Sequence, residues 1–307
     1  MMPYNNSLSN KNDLHVHTNK SDGTKTPQAV LMESEELGLK RISITDHESV
    51  DAYYEIKKYR KLFSGIIIPG IELKTMCQGR EIELLGYGIS VSKMKRSLST
   101  LYKSKEEINI SYLTAILKVL REQNIILPEN IESLYTDFLI QPAKFVSSIL
   151  FSDTKNLEKN TNTLFSDKIE HTNKESLYRG WLTNPKSRFY VEFSAYPSYI
   201  DTINLIRSCV GKVFIPHIFQ YGDYSKSILY ELLETGEIDG IECYYPTFTH
   251  EHTMYLLDTC SSRNLLVSGG SDYHGANKKN QLGRGLNNNL YIPEDKVQTW
   301  TSSISQV

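Results

Sequence analysis

Two histidines stand one residue apart near the start of the chain, in the run Asp13-Leu14-His15-Val16-His17. On a strand, alternate side chains share a face, so His15 and His17 project together while Leu14 and Val16 share the other side. Paired imidazoles on one face can close on a cation. Further ionisable residues recur downstream: Asp22 in the turn Ser21-Asp22-Gly23, His47, Glu72, His217, Asp272 and His274. Five imidazoles and three carboxylates, with no thiolate, suit Mn, Fe or Zn and not a Cys-bound structural zinc. Eight donors exceed the needs of one ion and suit two or three. A lone histidine at a strand end is commonly a hydrogen-bonded core residue. Here, however, the chain has only 8 histidines and five fall at these positions.

The elements that must position these groups can be read from the sequence pattern. Thr26-Pro27 starts a helix that Gly38 ends, with Thr as N-cap and Pro in the first turn. Arg41 to His47 alternates as a strand, Asp51 to Phe63 is an amphipathic helix, and Gly65 to Leu73 and Glu81 to Gly88 are strands. Alternation resumes at Phe189. Strands are expected over 189–194, 212–217, 239–244 and 265–271, and helices over 199–209, 225–235 and 250–263. Seven or eight strands alternating with helices predict an α/β barrel with a mostly parallel sheet, whose carboxyl ends would bring the ionisable residues to one mouth.

Between residues 93 and 188 helical periodicity replaces the strand pattern, as in Ile110 to Gln123 and Ala143 to Phe151. This segment reads as an inserted, mainly helical subdomain, mildly basic where the flanking barrel segments, 1–92 and 189–307, are acidic. Residues 154–174 read as a polar loop that contains His171, expected to be solvated. His250 and His252 repeat the His-x-His pattern, but in the first turn of a helix i and i+2 diverge, so both are expected to be exposed or capping. Asp46 falls opposite His47 and is expected to orient its neighbours instead of binding metal.

Across 307 residues the net charge is −2, which gives no general affinity for nucleic acid or membrane surface. No apolar run is long enough to span a bilayer, and the amino terminus lacks a secretory pattern. Cys77, Cys209, Cys243 and Cys260 are scattered, as in a reduced, cytoplasmic protein. No obligate protein partner is evident. Gly269-Gly270-Ser271 is not followed by the Lys-Ser/Thr of a phosphate-binding loop.

The strings DLHVHTNKSDG, ITDH, PGIE, IPH and GSDYH together resemble the successive motifs of the PHP (polymerase and histidinol phosphatase) family, in order and approximate spacing. The helical insert resembles that of the small phosphoesterase subgroup, which includes nucleoside 3′,5′-bisphosphate phosphatases and 5′-3′ exoribonucleases acting on short RNA. The resemblance implies a distorted (β/α)7 barrel with an inserted helical subdomain, and two or three divalent metal ions. It implies that His15, His17, Glu72 and Asp272 hold one metal and that Asp22, His47 and His217 help hold others. It implies His274 as a ligand or a general acid, and catalytic positions at His217, Asp272 and His274.

Two positions depart from the family pattern. Trinuclear members carry His where this chain has Glu83, in Glu81-Ile82-Glu83, and another His where it has Gln141. Glu83 remains a ligand for a hard cation, whereas Gln141 is a weak one. Arginines of the subgroup are missing from Leu139-Ile140-Gln141 and from His217-Ile218-Phe219-Gln220. Arg284, in Leu282-Gly283-Arg284, matches the pattern and would either contact a substrate phosphate or pair with a carboxylate.

The expected function is a metal-dependent phosphoesterase that hydrolyses a small phosphorylated metabolite or nucleotide by metal-activated water. A 5′-3′ exonuclease acting on short oligonucleotides is the first alternative. A metal-retaining binding module without catalysis is the second.

Overall fold

The computed structural model describes residues 10–138, 140–152, 160, 174–304 and 306. It divides into two compact units, one formed by residues 1–102 and 196–307 and the other by residues 103–195. Expected insert boundaries at 93 and 188 therefore sit inside the first-unit and second-unit segments respectively.

The first unit begins with β1 (Asn12–Val16), α1 (Pro27–Glu36), β2 (Arg41–Ile44), α2 (Asp51–Tyr59), β3 (Ile66–Cys77), β4 (Arg80–Tyr87) and α3 (Val91–Leu101). The second contains α4 (Lys105–Glu122), α5 (Ile131–Leu134), α6 (Pro142–Ser152) and α7 (Lys174–Leu177). The first unit then resumes with α8 (Tyr199–Ser208), β5 (Lys212–Ile215), α9 (Ser225–Glu234), β6 (Gly240–Tyr244), α10 (His250–Arg263), β7 (Leu266–Gly269) and α11 (Glu294–Thr301). Thr26 caps α1 through the Ala29 amide, and Thr249 caps α10 through the His252 amide, as their side-chain chemistry predicts.

The seven strands form one sheet in sequence order. A parallel bridge between Val16 and Tyr273, and a 2.8 Å hydrogen bond from the Asp272 amide to the His15 carbonyl, bring its two edges together into a nearly closed barrel. β1–β2–β3 and β5–β6–β7 are parallel, whereas β4 runs antiparallel to both of its neighbours. The reversal comes from a two-residue turn: Gln78 (φ 50°) and Gly79 (φ 69°) are both left-handed, the backbone of a tight hairpin. A Gln in that position is a weak turn signal, so the sequence pattern does not announce it.

Residues 189–194 are not a strand, contrary to the alternation of Phe189, Val191 and Phe193. In the second unit their aromatic rings pack into its helical core: Phe189 stacks on Trp181 at 4.8 Å and Phe193 on Tyr112 at 4.9 Å. Period-2 patterning marks a buried face, and here the burying partners are helices. Residues 154–159 and 161–173 of the expected polar loop, including His171, lie outside the described residues.

Around the sheet, Ile42, Ile44, Ile67, Ile71, Val213 and Ile241 join the helices in one apolar core. Leu14, Ile68, Leu85, Tyr87, Phe214 and Trp300 form another. β1 carries a register shift between Asp13 and Val16; Leu14 packs in the second core and Val16 in the first. Among the described residues no helix is long and apolar enough to cross a membrane.

Candidate metal centre

β1 delivers His15 and His17, whose ring centroids lie 5.3 Å apart despite the register shift. The loop that follows is shaped by Asp46. Its Oδ1 accepts the Thr18 amide at 2.7 Å and the Ser21 hydroxyl at 2.6 Å, and its Oδ2 accepts the Thr18 hydroxyl at 2.7 Å. This loop carries Asp22 back over His17. Gly23 is required there, because a Cβ would lie 2.7 Å from the His17 carbonyl oxygen.

Glu72 on β3 is the hub. Its Oε2 lies 3.2 Å from His15 Nε2, 3.1 Å from His17 Nε2 and 3.5 Å from His47 Nδ1, and its Oε1 lies 2.9 Å from His217 Nε2. Glu48 (φ 46°) braces the strand on both sides of it, donating its amide to the Glu72 carbonyl at 3.0 Å and accepting the Lys74 amide at 2.7 Å. Asp272 Oδ1 faces His15, His17 and His274 at 3.4–3.6 Å. Asp22 Oδ1 lies 3.1 Å from His274 Nε2 and 3.4 Å from His17 Nδ1. Glu83 Oε2 sits 3.3 Å from His217 Nε2, and its Oε1 3.8 Å from His47 Nδ1.

These donors fall into three overlapping groups whose ligand atoms lie within 4.8 Å of one another. One joins His15, His17, Glu72 and Asp272; a second joins His17, Asp22, His47 and His274; a third joins His47, Glu72 and Glu83. His217 belongs to none of the three but touches Glu72 and Glu83. Gln141 belongs to the other unit, where its carbonyl oxygen accepts the Tyr178 hydroxyl at 2.9 Å. Arg284 is exposed, and lines a surface recess with Glu33, Tyr273, Lys278 and Gln281. His250 is exposed, and His252 completes the helix cap through Nδ1.

The donor set fits divalent cations. Glu72 and Asp272 are 1% and 2% exposed, so their charges need compensation from within. His15 Nε2, both ring nitrogens of His17, His47 Nδ1 and His274 Nε2 are buried without a well-formed hydrogen bond. His15 Nδ1 contacts Glu242 Oε1 at 3.0 Å and His274 Nδ1 contacts the Asp272 carbonyl at 2.9 Å, which leaves each Nε2 as the nitrogen that faces the carboxylates and could take a cation in exchange for a proton.

Four supporting residues were not among those expected from the sequence. Glu242 lies fully buried on β6, and beyond His15 it accepts the His217 amide at 2.8 Å. A lone carboxylate inside the apolar run Gly240-Ile241-Glu242-Cys243-Tyr244 was the available signal. Tyr245 donates its hydroxyl to Asp272 Oδ2 at 2.8 Å, and the Lys278 ammonium lies 2.6 Å from the same oxygen. Asp13 fastens β1 to the chain beyond β7, accepting from the Ser271 amide (2.8 Å), the Ser271 hydroxyl (2.6 Å) and the Gly283 amide (2.6 Å). Asp272 itself has φ 53°, strained backbone of the kind that clusters at functional sites. Gly270 is equally constrained, since a Cβ would lie 2.2 Å from that of His15.

Burial opposes charge throughout the cluster, and its neighbours decide the result. Burial would lower His17, but the Asp22 and Glu72 carboxylates outweigh it and raise its pKa to about 9. Burial lowers His47 to about 4 despite Glu72. Glu83 is raised to about 7, by burial and then by the Glu72 charge. Below about pH 9 a cation must therefore displace a proton from His17. Metal binding at pH 7 is expected to release at least one proton per chain, and apparent affinity to rise with pH up to about 9. Calorimetric titration in buffers of different ionisation enthalpy measures both; binding with no proton release would contradict the protonated His17. Glu83→His, which exchanges an oxygen donor for imidazole, is expected to raise the transition-metal content retained through dialysis. An unchanged content would show that the residue at 83 does not limit that position.

A barrel whose strand ends converge on several imidazoles and carboxylates has the donor set of a metal-dependent hydrolase. The chain belongs to the PHP domain family, whose profile matches residues 13–180. It is 22% identical to a phosphoribosyl 1,2-cyclic phosphate 1,2-diphosphodiesterase of Eggerthella lenta, over 86% of this chain and 94% of that protein. It is also 22% identical to a 5′-3′ exoribonuclease of Haemophilus influenzae, over 95% of this chain and 99% of that protein. A solved structure from Bifidobacterium adolescentis, described as a metal-dependent phosphoesterase, shares the fold with a TM-score of 0.58 at 20% identity, covering 95% of each chain.

Proposed function

We propose that this protein is a metal-dependent phosphoesterase acting on a small phosphorylated metabolite or nucleotide, with two or three of Mn, Fe or Zn as its ions. The observation that carries the reading is Glu72, a buried carboxylate within 3.5 Å of four imidazoles, several of whose nitrogens lack another partner. Divalent ions held there would polarise a phosphoryl group, neutralise its charge and acidify an attacking water.

The side chains divide the remaining work. His15, His17, Glu72 and Asp272 would hold one ion, and Asp22, His47 and His274, with Glu83 and His217, would hold the others. Tyr245 and Lys278 keep Asp272 Oδ2 occupied, so that Oδ1 faces the imidazoles. Lys278 is partly exposed and adds positive charge for an incoming phosphate. His274, if not engaged as a ligand, is placed to give a proton to the departing oxygen.

Likeness to the Haemophilus influenzae exoribonuclease over nearly the full length of both chains favours a second reading, stepwise release of nucleotides from the 5′ end of short RNA. Metal analysis of the purified protein, followed by Mn-dependent hydrolysis of phosphomonoesters, phosphodiesters and 5′-phosphorylated oligonucleotides, tests both. Mononucleotide release with strong salt dependence would favour the second reading. Two or more bound ions with no hydrolysis of any phosphoester would overturn the enzyme reading and leave a metal-binding module.

A further inference from the structure

The loops leaving the carboxyl ends of β5 and β6 carry more aromatic rings than the metal centre uses. Phe219 stacks on His252 with ring centroids 3.9 Å apart and planes at 14°. Phe248 meets both edge-on, at 5.3 and 5.9 Å, and Tyr255 lies 6.2 Å from Phe219. The Lys226 ammonium sits 5.6 Å over the Tyr255 ring. Phe219, His252, Tyr255 and Lys226, with Asp223 and Glu251, line an open cleft between the amino-terminal turns of α9 and α10.

Ring contacts link the wall of this cleft to the metal centre, beginning with Phe219 against Phe248. A continuous path of rings runs from Phe248 to Tyr245 (5.2 Å) and on to His217 (5.5 Å), and the Tyr245 hydroxyl reaches Asp272. Both loops start at strand ends that deliver or brace metal-centre residues. Packing alone would bury such a cluster, yet Phe219, His252 and Tyr255 each keep part of their surface exposed.

We infer that the cleft is a nucleobase subsite, so that the substrate carries a base whose phosphate reaches the metal centre. This rests on the phosphoesterase reading and narrows its substrate class. Flat π-faces stack on any base. The carboxylates of Asp223 and Glu251 accept from exocyclic amino groups, and Lys226 donates to ring nitrogens or keto oxygens. A sugar phosphate lacks the flat face, and an acyl chain would leave the polar rim unpaired.

The test compares the Mn-loaded enzyme on a nucleoside 5′-monophosphate, a dinucleotide and ribose 5-phosphate, using wild type, Phe219→Leu and Phe219→Trp. Phe219→Leu is expected to lower kcat/KM for the base-bearing substrates by about tenfold or more, chiefly through KM, and to leave ribose 5-phosphate unchanged. Phe219→Trp, which restores a flat ring, should retain the preference. Equal wild-type efficiency with and without a base, or an equal loss on all substrates in Phe219→Leu, would overturn the subsite. Calorimetric binding of the nucleoside monophosphate gives a readout independent of turnover, and Phe219→Leu should weaken it by a similar factor. Absence of hydrolysis with intact, Phe219-dependent binding would overturn the enzymatic reading and keep the subsite. Binding that ignores Phe219 would overturn the subsite.

Discussion

Glu72→Gln is expected to cost at least one bound divalent ion per chain and to lower phosphoester hydrolysis by roughly 100-fold or more, the equivalent of about 3 kcal/mol of lost charge stabilisation. The amide keeps the shape of the side chain and removes its negative charge from the midst of His15, His17, His47 and His217. In the metal-free protein the same change leaves raised imidazoles without their main counter-charge. His15 and His17 both owe their elevated pKa in part to Glu72, working against burial. Their proton affinity should fall in the variant, and the metal-free protein should lose stability, by about 3 kcal/mol for a broken buried pair. Metal analysis, steady-state kinetics and thermal unfolding of the metal-free protein measure the three consequences. Unchanged metal content would remove Glu72 from the centre.

Glu242→Gln is expected to act differently, because Glu242 touches the imidazoles from behind. Its Oε1 faces His15 Nδ1 at 3.0 Å and its Oε2 accepts the His217 amide at 2.8 Å. Loss of such an outer carboxylate typically lowers metal affinity or activity 10- to 100-fold, by freeing the ring and reducing its basicity. Activity should therefore fall at limiting metal and recover substantially at saturating metal, whereas Glu72→Gln should not recover. A metal titration of activity separates the two variants. If Glu242→Gln showed the wild-type metal dependence, His15 would be oriented by the strand alone.

Much of this centre was legible before any fold was known. His15 lies on a strand and His17 just past its end, Asp272 and His274 follow a strand, and helix starts at Thr26 and Thr249 lie where their capping chemistry places them. Local periodicity also marked seven of the strands, because alternation and apolar runs are properties of neighbouring residues. It failed where a period-2 pattern had helices for partners, at residues 189–194, and where a turn of two left-handed residues reversed β4.

Sequence alone therefore determined which side chains have the chemistry to hold metal and roughly which strand ends present them. Only the tertiary structure decided which of them meet. It made Glu72 the hub, gave Glu242, Tyr245 and Lys278 their supporting contacts, and placed Arg284 on an exposed recess. The reason is physical: composition and spacing fix the donors, whereas distances between residues hundreds of positions apart arise only when β1 and β7 are drawn together, through Asp13, Gly270 and the paired backbone of His15 and Asp272.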